Sequence, residues 1–197
     1  MAQDIFDMGN IDSLVRRILR EKGSIDLNEF DIPTYEIKDN YTSKEFNFSS
    51  DRKVYAKEVR NAIGSVVEEA EAQGYNANFF TALYEAVLNA HQHGNKLDTS
   101  KTVTLAYKIA NDTLEIAVID QGGKLDPEFI PYVLKHKQNK DLLQKQFIDF
   151  YQFTNRVKPN TNNGTGTSFM HTYVDNVQYF KSTQGGLVVH LTILNKN

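Results

Sequence analysis

Residues 82–96 read ALYEAVLNAHQHGNK. At about 100° per residue, Leu83, Tyr84, Val87 and Leu88, with Phe80 just before them, form an apolar stripe, which predicts a helix over about 77–93. A solvated helix of this length carries several lysines and glutamates on its outer face. Between Tyr75 and Asn95, however, Glu85 is the only charged residue. It falls with Asn89 and His93 within an arc of about 80° away from the stripe, flanked by the small Ala82 and Ala86. A lone carboxylate with a carboxamide one turn on, on a face cleared of bulk and charge, has the composition of a pocket lining. A polar face lightly covered by the N-terminal segment would have the same composition. The glutamate can serve as a general base, and the asparagine oxygen is a hard neutral ligand suited to Mg2+, which shares its shell with phosphates. His91 and His93 could alternatively pair on zinc, but no third ligand lies near in sequence and the chain has no cysteine.

Downstream, residues 101–110 alternate, with Val103, Leu105, Tyr107 and Ile109 on one face, and Asn111-Asp112 turns the chain into a second strand over 113–120. In TLEIAVID the alternation puts Leu114, Ile116, Val118 and Asp120 on the same, buried face. A carboxylate there needs donors. An adenine amino group is one, and Gly122 with Gly123 would let the following backbone approach a flat base; an ordinary Asp-x-Gly-Gly turn is the other reading. A long excursion, about 124–163, holds three of the four prolines and one or two helices, and its seven bases against four acids could help neutralise a triphosphate. Most of those bases also read as solvated helix. The chain then runs through NNGTGTSFMHTYVDNV, where Gly164 and Gly166, with Thr165 and Thr167 interleaved, stand at the start of a helix over about 166–175. Helix N-termini present unpaired N–H groups and a partial positive charge, so phosphate is a natural ligand there, though a polar loop capping the helix would read alike. A P-loop would need a lysine after its glycine, and a dinucleotide fingerprint a preceding strand and a third glycine. Two further strands, 176–181 and 187–194, join through Gln184-Gly185-Gly186.

Upstream, a helix over about 54–72 carries Val59, Ile63, Val66 and Val67 on one side, and 46–48 read as a short strand. Residues 1–40 hold nine acids and five bases, whereas the remainder is close to neutral. Within this extension Ile11, Leu14, Val15, Ile18 and Leu19 recur at helical spacing up to Gly23. Their stripe needs a partner surface, either the chain's own domain or a second protein. The 197 residues suit one domain, with 40% hydrophobic and 24% charged residues arguing against disorder and no apolar run near the roughly 20 residues that span a bilayer. The acidic N-terminus lacks the features of a secretory signal, so a cytoplasmic protein with no membrane contact is expected. The absence of cysteine removes disulfides and thiolate chemistry, and a net charge of −3 offers no basic field for nucleic acid. Helices first and adjacent antiparallel strands later predict an α+β two-layer sandwich, a mixed, mainly antiparallel sheet with helices on one face.

Three segments taken in order, ALYEAVLNAHQHGNK, VIDQGGKLDPEFIP and NGTGTSFMHTYVDNVQYF, separated by a hairpin and then a lid-like insertion, resemble the N, G1 and G2 boxes of the GHKL (Bergerat-fold) ATPases. Within that superfamily they are most similar to the bacterial anti-sigma-factor serine/threonine kinases of partner-switching systems. The resemblance covers about residues 45–194. It implies ATP and Mg2+ as cofactors, Glu85 as general base, Asn89 as the Mg2+ ligand, and His93 as the histidine near the end of the N-box helix. It also implies Asp120 bonded to adenine, Gly122 and Gly123 beside the base, and Gly164, Thr165, Gly166 and Thr167 at the phosphates. Lys124 stands where the first glycine box usually has its second glycine, bordering the nucleotide. An ATP-binding domain over 41–197, with a lid over about 124–163, would follow an extension of 40 residues. The implied activity is phosphorylation of a small anti-anti-sigma-like protein and control of a sigma factor, with a homodimer plausible for the family. A binding module that sequesters its partner without chemistry is the alternative.

Overall fold

The computed structural model describes residues 8–23, 32–123, 129–154, 156–160, 163–183 and 185–196. The alternation over the middle of the chain becomes a hairpin of β3 (Val103–Ile109) and β4 (Thr113–Ile119), antiparallel with Leu105 opposite Val118 and Tyr107 opposite Ile116. β6 (Leu187–Leu194) adds antiparallel to β4, and β5 (Asn176–Ser182) antiparallel to β6. β2 (Thr42–Phe46) closes one edge against β3, and the two-residue β1 (Thr34–Tyr35) closes the other, parallel to β5. The order is β1-β5-β6-β4-β3-β2. The sheet is thus mixed and mainly antiparallel, with one parallel pair, as expected.

Period-two patterning sorts the two faces. Leu114, Ile116 and Val118 of β4 join the main core with α2 (Arg52–Glu71), α3 (Phe79–Asn89) and α6 (Gly166–Thr172). Ala117 and Ile119 point the other way, to a small cluster with Ala106, Val188 and Tyr41. That outer cluster is covered by the chain's own residues 35–41, which link β1 at one sheet edge to β2 at the other. Tyr41 Oη donates to Glu115 Oε2 at 2.7 Å, and the Tyr35 ring lies 5.6 Å from that of His190. Part of the stretch read as an extension therefore belongs to the sheet.

α1 (Met8–Lys22) ends at Gly23 in a left-handed conformation, and it packs against α4 (Ile130–Lys145), the longer helix of the excursion. The described part of its stripe packs within the chain, with Ile18 buried and Leu14 and Leu19 against the core. α5 (Phe150–Thr154) completes the excursion. Two boundaries differ from the sequence reading. β2 lies earlier than 46–48 because the ladder stops at Phe46; beyond it the Asn47 side chain bonds the Thr99 and Lys101 carbonyls, and Phe48 turns into the core. α6 stops at Thr172 rather than near Asp175, whose backbone N–H is already bonded to Thr192 O at 2.9 Å beside the β5–β6 ladder. Among the described residues no helix is long and apolar enough to cross a membrane.

Candidate functional site

α3 is placed by burial of Phe79, Ala82, Leu83, Ala86 and Val87. The buried stripe is rotated toward the two alanines, which face packing partners rather than open space. This brings α3 against α6, so that a side chain on Gly166 would overlap the Glu85 carboxylate. Burial raises the Glu85 carboxyl above its ordinary value, and no cation among the described residues acts on it.

The helix expected to run through His93 changes at Ala90 into a π-helical turn, Ala90–Gly94. Asn95 N donates to Ala90 O at 2.7 Å, and Lys96 and Leu97 follow in left-handed conformations that non-glycine residues seldom adopt. Side chains hold this geometry in place. His91 is fully buried between Phe48 and Tyr55, its Nε2 bonded to Ser49 O at 2.8 Å, which removes it from any zinc pair. Among the described residues no group of three or more His, Asp or Glu side chains is arranged to hold a metal ion. Asn95, also fully buried, accepts from Gln121 N at 2.8 Å and donates to Thr102 O at 2.8 Å, tying the π turn to the residue after Asp120.

Asp120 emerges from β4 at 4% exposure. Its Oδ1 accepts two backbone N–H groups, from Gly122 at 2.8 Å and Leu187 at 3.1 Å, while Oδ2 accepts no hydrogen bond among the described residues. Burial pushes this carboxyl up to about 6, partly countered by those two donors and by Lys101. Three glycines make the enclosure possible: a side chain at Gly94 would overlap the Asp120 carboxylate, one at Gly122 the Gly94 carbonyl, and one at Gly186 the Asp120 carbonyl. Gly94 and Gly186 were not singled out in the sequence, where each looks like an ordinary helix-end or turn glycine.

Two adjoining cavities share Asn89, His93 and Phe129. The smaller, about 30 Å3 and mostly apolar, lies beside Asp120 and is bounded by Val118, Met170 and Val189. It holds about one water, far less than a purine. The larger, about 580 Å3, has the size of ligand pockets generally. Glu85, Leu88, Arg52 and Tyr55 line it on one side and residues 163–167 on the other. Gln92 Nε2 donates to Tyr55 Oη at 2.8 Å across this wall. Thr165 precedes α6 without capping it, and the Thr167 hydroxyl turns back to Gly164 O at 3.4 Å, so the first N–H groups of α6 are left uncapped by either threonine. Gly164 has φ +66° and lies against the Tyr151 ring, where a Cβ would come within 2.6 Å of Cδ2.

The structure thus brings Glu85, Asn89, His93, Asp120, Gly122, Gly164, Thr165, Gly166 and Thr167 around one continuous cleft, with Gly123, at φ +72°, following beside Gly122. Lys124 lies outside the described residues. Of the described bases between residues 124 and 163, Lys135 donates to Phe153 O at 2.6 Å and Lys158 pairs with Asp149 at 3.3 Å, so both have partners away from the cleft. The donor set fits a purine nucleotide: a bare carboxylate oxygen can accept an exocyclic amino group at the narrow end, and uncapped N–H groups with an asparagine oxygen can meet phosphates and a divalent ion at the wide end.

A search among curated proteins finds no match. A family model described as a histidine kinase-like ATPase domain matches residues 48–193, from just before α2 into β6, and so takes in the whole of this cleft. The chain belongs to the histidine kinase-like ATPase (GHKL) family of ATP-binding domains.

Proposed function

We propose that this chain is an ATP- and Mg2+-dependent serine/threonine protein kinase of the anti-sigma, partner-switching type, acting on a small anti-anti-sigma-like protein and through it on a sigma factor. The observation that carries the catalytic part is Glu85. It is half-buried in the wall of the wide cavity, with no cation among the described residues to neutralise it and a carboxyl shifted upward by burial, the condition that makes a carboxylate a better proton acceptor. Asn89, one turn on and shared by both cavities, would hold Mg2+. Asp120 Oδ2 would fix the base. Bound ATP·Mg2+ supplies the phosphoryl group and the neutralising charge for its transfer. Glu85 takes the proton from the substrate protein's hydroxyl as that oxygen becomes the nucleophile.

Glu85→Gln keeps the size of the side chain and removes the proton acceptor. With labelled ATP and candidate antagonist proteins, the variant is expected to lose about a hundredfold or more of phosphotransfer. Its ATP affinity by calorimetry should stay within about threefold, because the group meets the reacting hydroxyl rather than the nucleotide. Equal transfer by wild type and variant rules out the mechanism. The second reading, a module that captures its partner without chemistry, draws on the narrowness of the cavity at Asp120, about 30 Å3, which is too small for a base unless its lining moves. Absence of heat on titration with millimolar ATP and Mg2+ would select it.

A further inference from the structure

The geometry points to Arg52 as the residue that selects a nucleoside triphosphate over a diphosphate, by binding the terminal phosphate at the wide end of the cleft. This inference rests on the ATP-binding reading above and adds a specificity role to it. The cleft has a direction. Asp120 lines only the narrow cavity, Asn89 and His93 line both, and Glu85 and Arg52 line only the wide one. A nucleotide whose base meets Asp120 and whose first phosphates pass Asn89 therefore ends near Glu85 and Arg52.

Arg52 is the first residue of α2 and is exposed. The preceding Asp51, the natural ion-pair partner, uses its Oδ1 to accept from Lys53 N at 2.8 Å, capping the helix. No described residue pairs with the Arg52 guanidinium, and no described cation acts on the carboxylate across the same cavity, Glu85. Among the described residues, both groups line the cavity without a charged partner.

Three other described cations near the cleft are engaged elsewhere. Lys135 lies over the Phe153 ring at 4.5 Å and bonds that residue's carbonyl, Lys158 is paired with Asp149, and Lys101 sits at the base end, 3.5 Å from Gly122 O. Among the described lysines and arginines, Arg52 is the one that lines the wide cavity. A terminal phosphate brings additional negative charge to a wall that already holds Glu85, so a cation is needed there. The planar guanidinium can meet two phosphate oxygens at once, which a diphosphate ending earlier in the cleft would not offer it.

The test is calorimetric titration of the full chain with ATP and with ADP, each with Mg2+, for wild type, Arg52→Ala and Arg52→Gln. Loss of a charge-assisted contact should weaken ATP binding by about tenfold or more in both variants, while ADP affinity stays within about twofold. Circular dichroism should match wild type, since the side chain supports no described contact. Equal losses for ATP and ADP, unchanged ATP affinity, or a wild type that binds both nucleotides equally would each overturn the role of Arg52. A wild type that binds neither nucleotide overturns the ATP reading itself, and that outcome is distinct from all three.

Discussion

Asp120 is held by atoms rather than by neighbours' side chains: two backbone N–H groups on one oxygen and three glycines around it. Gly94 is the most exposing of these positions to a test. Its φ is not in the left-handed region and it lies in a helical turn, so by backbone preference alone alanine should be tolerated or mildly stabilising. Gly94→Ala nevertheless puts a methyl group into the Asp120 carboxylate, which must swing away and give up its bonds to Gly122 and Leu187. The variant should lose about 1–3 kcal/mol in urea unfolding, the usual cost of overpacking, and its nucleotide affinity should fall. Unchanged affinity would show that the carboxylate's placement is irrelevant to binding. Glu85, Asn89 and Asp120 were legible in the sequence because each follows from a local period, 3.6 on the helix or 2 on the strand. Gly186 and Arg52 were not, because they reach the site through the sheet order and the α2–α3 packing, and no local pattern encodes either.

At the level of elements, the predicted helix over 77–93 exists, but its last turn is π-helical, and propensity gives no warning of that. The cause is tertiary: Asn95 must reach Gln121 and Thr102, and His91 must reach Ser49, contacts that one extra residue per turn allows. The amphipathic stripe of α1 was equally legible while its partner was not. α4 buries Ile130, Tyr132, Val133 and Leu134 in succession, so its first turn is apolar all round and presents no single stripe to match. The pairing of α1 with α4 makes a prediction. Removing residues 1–23 uncovers the α4 surface that α1 contacts and forfeits the burial of Ile18, worth up to about 1.5–3 kcal/mol. Amide exchange in α4 should speed up markedly while β4 and β6, paired on both sides, keep their protection. Unaltered exchange in α4 would mean that α1 does not hold it.

Across the whole molecule, buried titratable groups set how stability responds to pH, and they act in opposite directions. His171 is buried, with Nε2 3.0 Å from Tyr132 Oη, and burial lowers its imidazole to about 4. The unfolded chain binds a proton there from about pH 6.5 downward and the folded chain does not, so acidification from 6.5 to 4 removes on the order of 3 kcal/mol. Asp120 is the reverse case. Its folded value of about 6 lies above the unfolded one, so the native state binds the extra proton, and stability from this group falls as pH rises from about 4 to 6, again by on the order of 3 kcal/mol. The two contributions nearly offset each other in the wild type. Asp120→Asn keeps an oxygen for Gly122 and Leu187 but deletes the titration. The variant should therefore exceed wild type in urea-unfolding stability by about 2–3 kcal/mol at pH 7, lose that advantage below pH 4, and gain more stability than wild type as pH rises between. A stability difference that stays constant from pH 4 to 7 would refute the assignment. The same substitution replaces the open acceptor Oδ2 with an N–H2 donor, so nucleotide binding should disappear as stability rises. The carboxylate destabilises the fold at neutral pH, and under the function proposed above the amino group of a bound base would offset that cost.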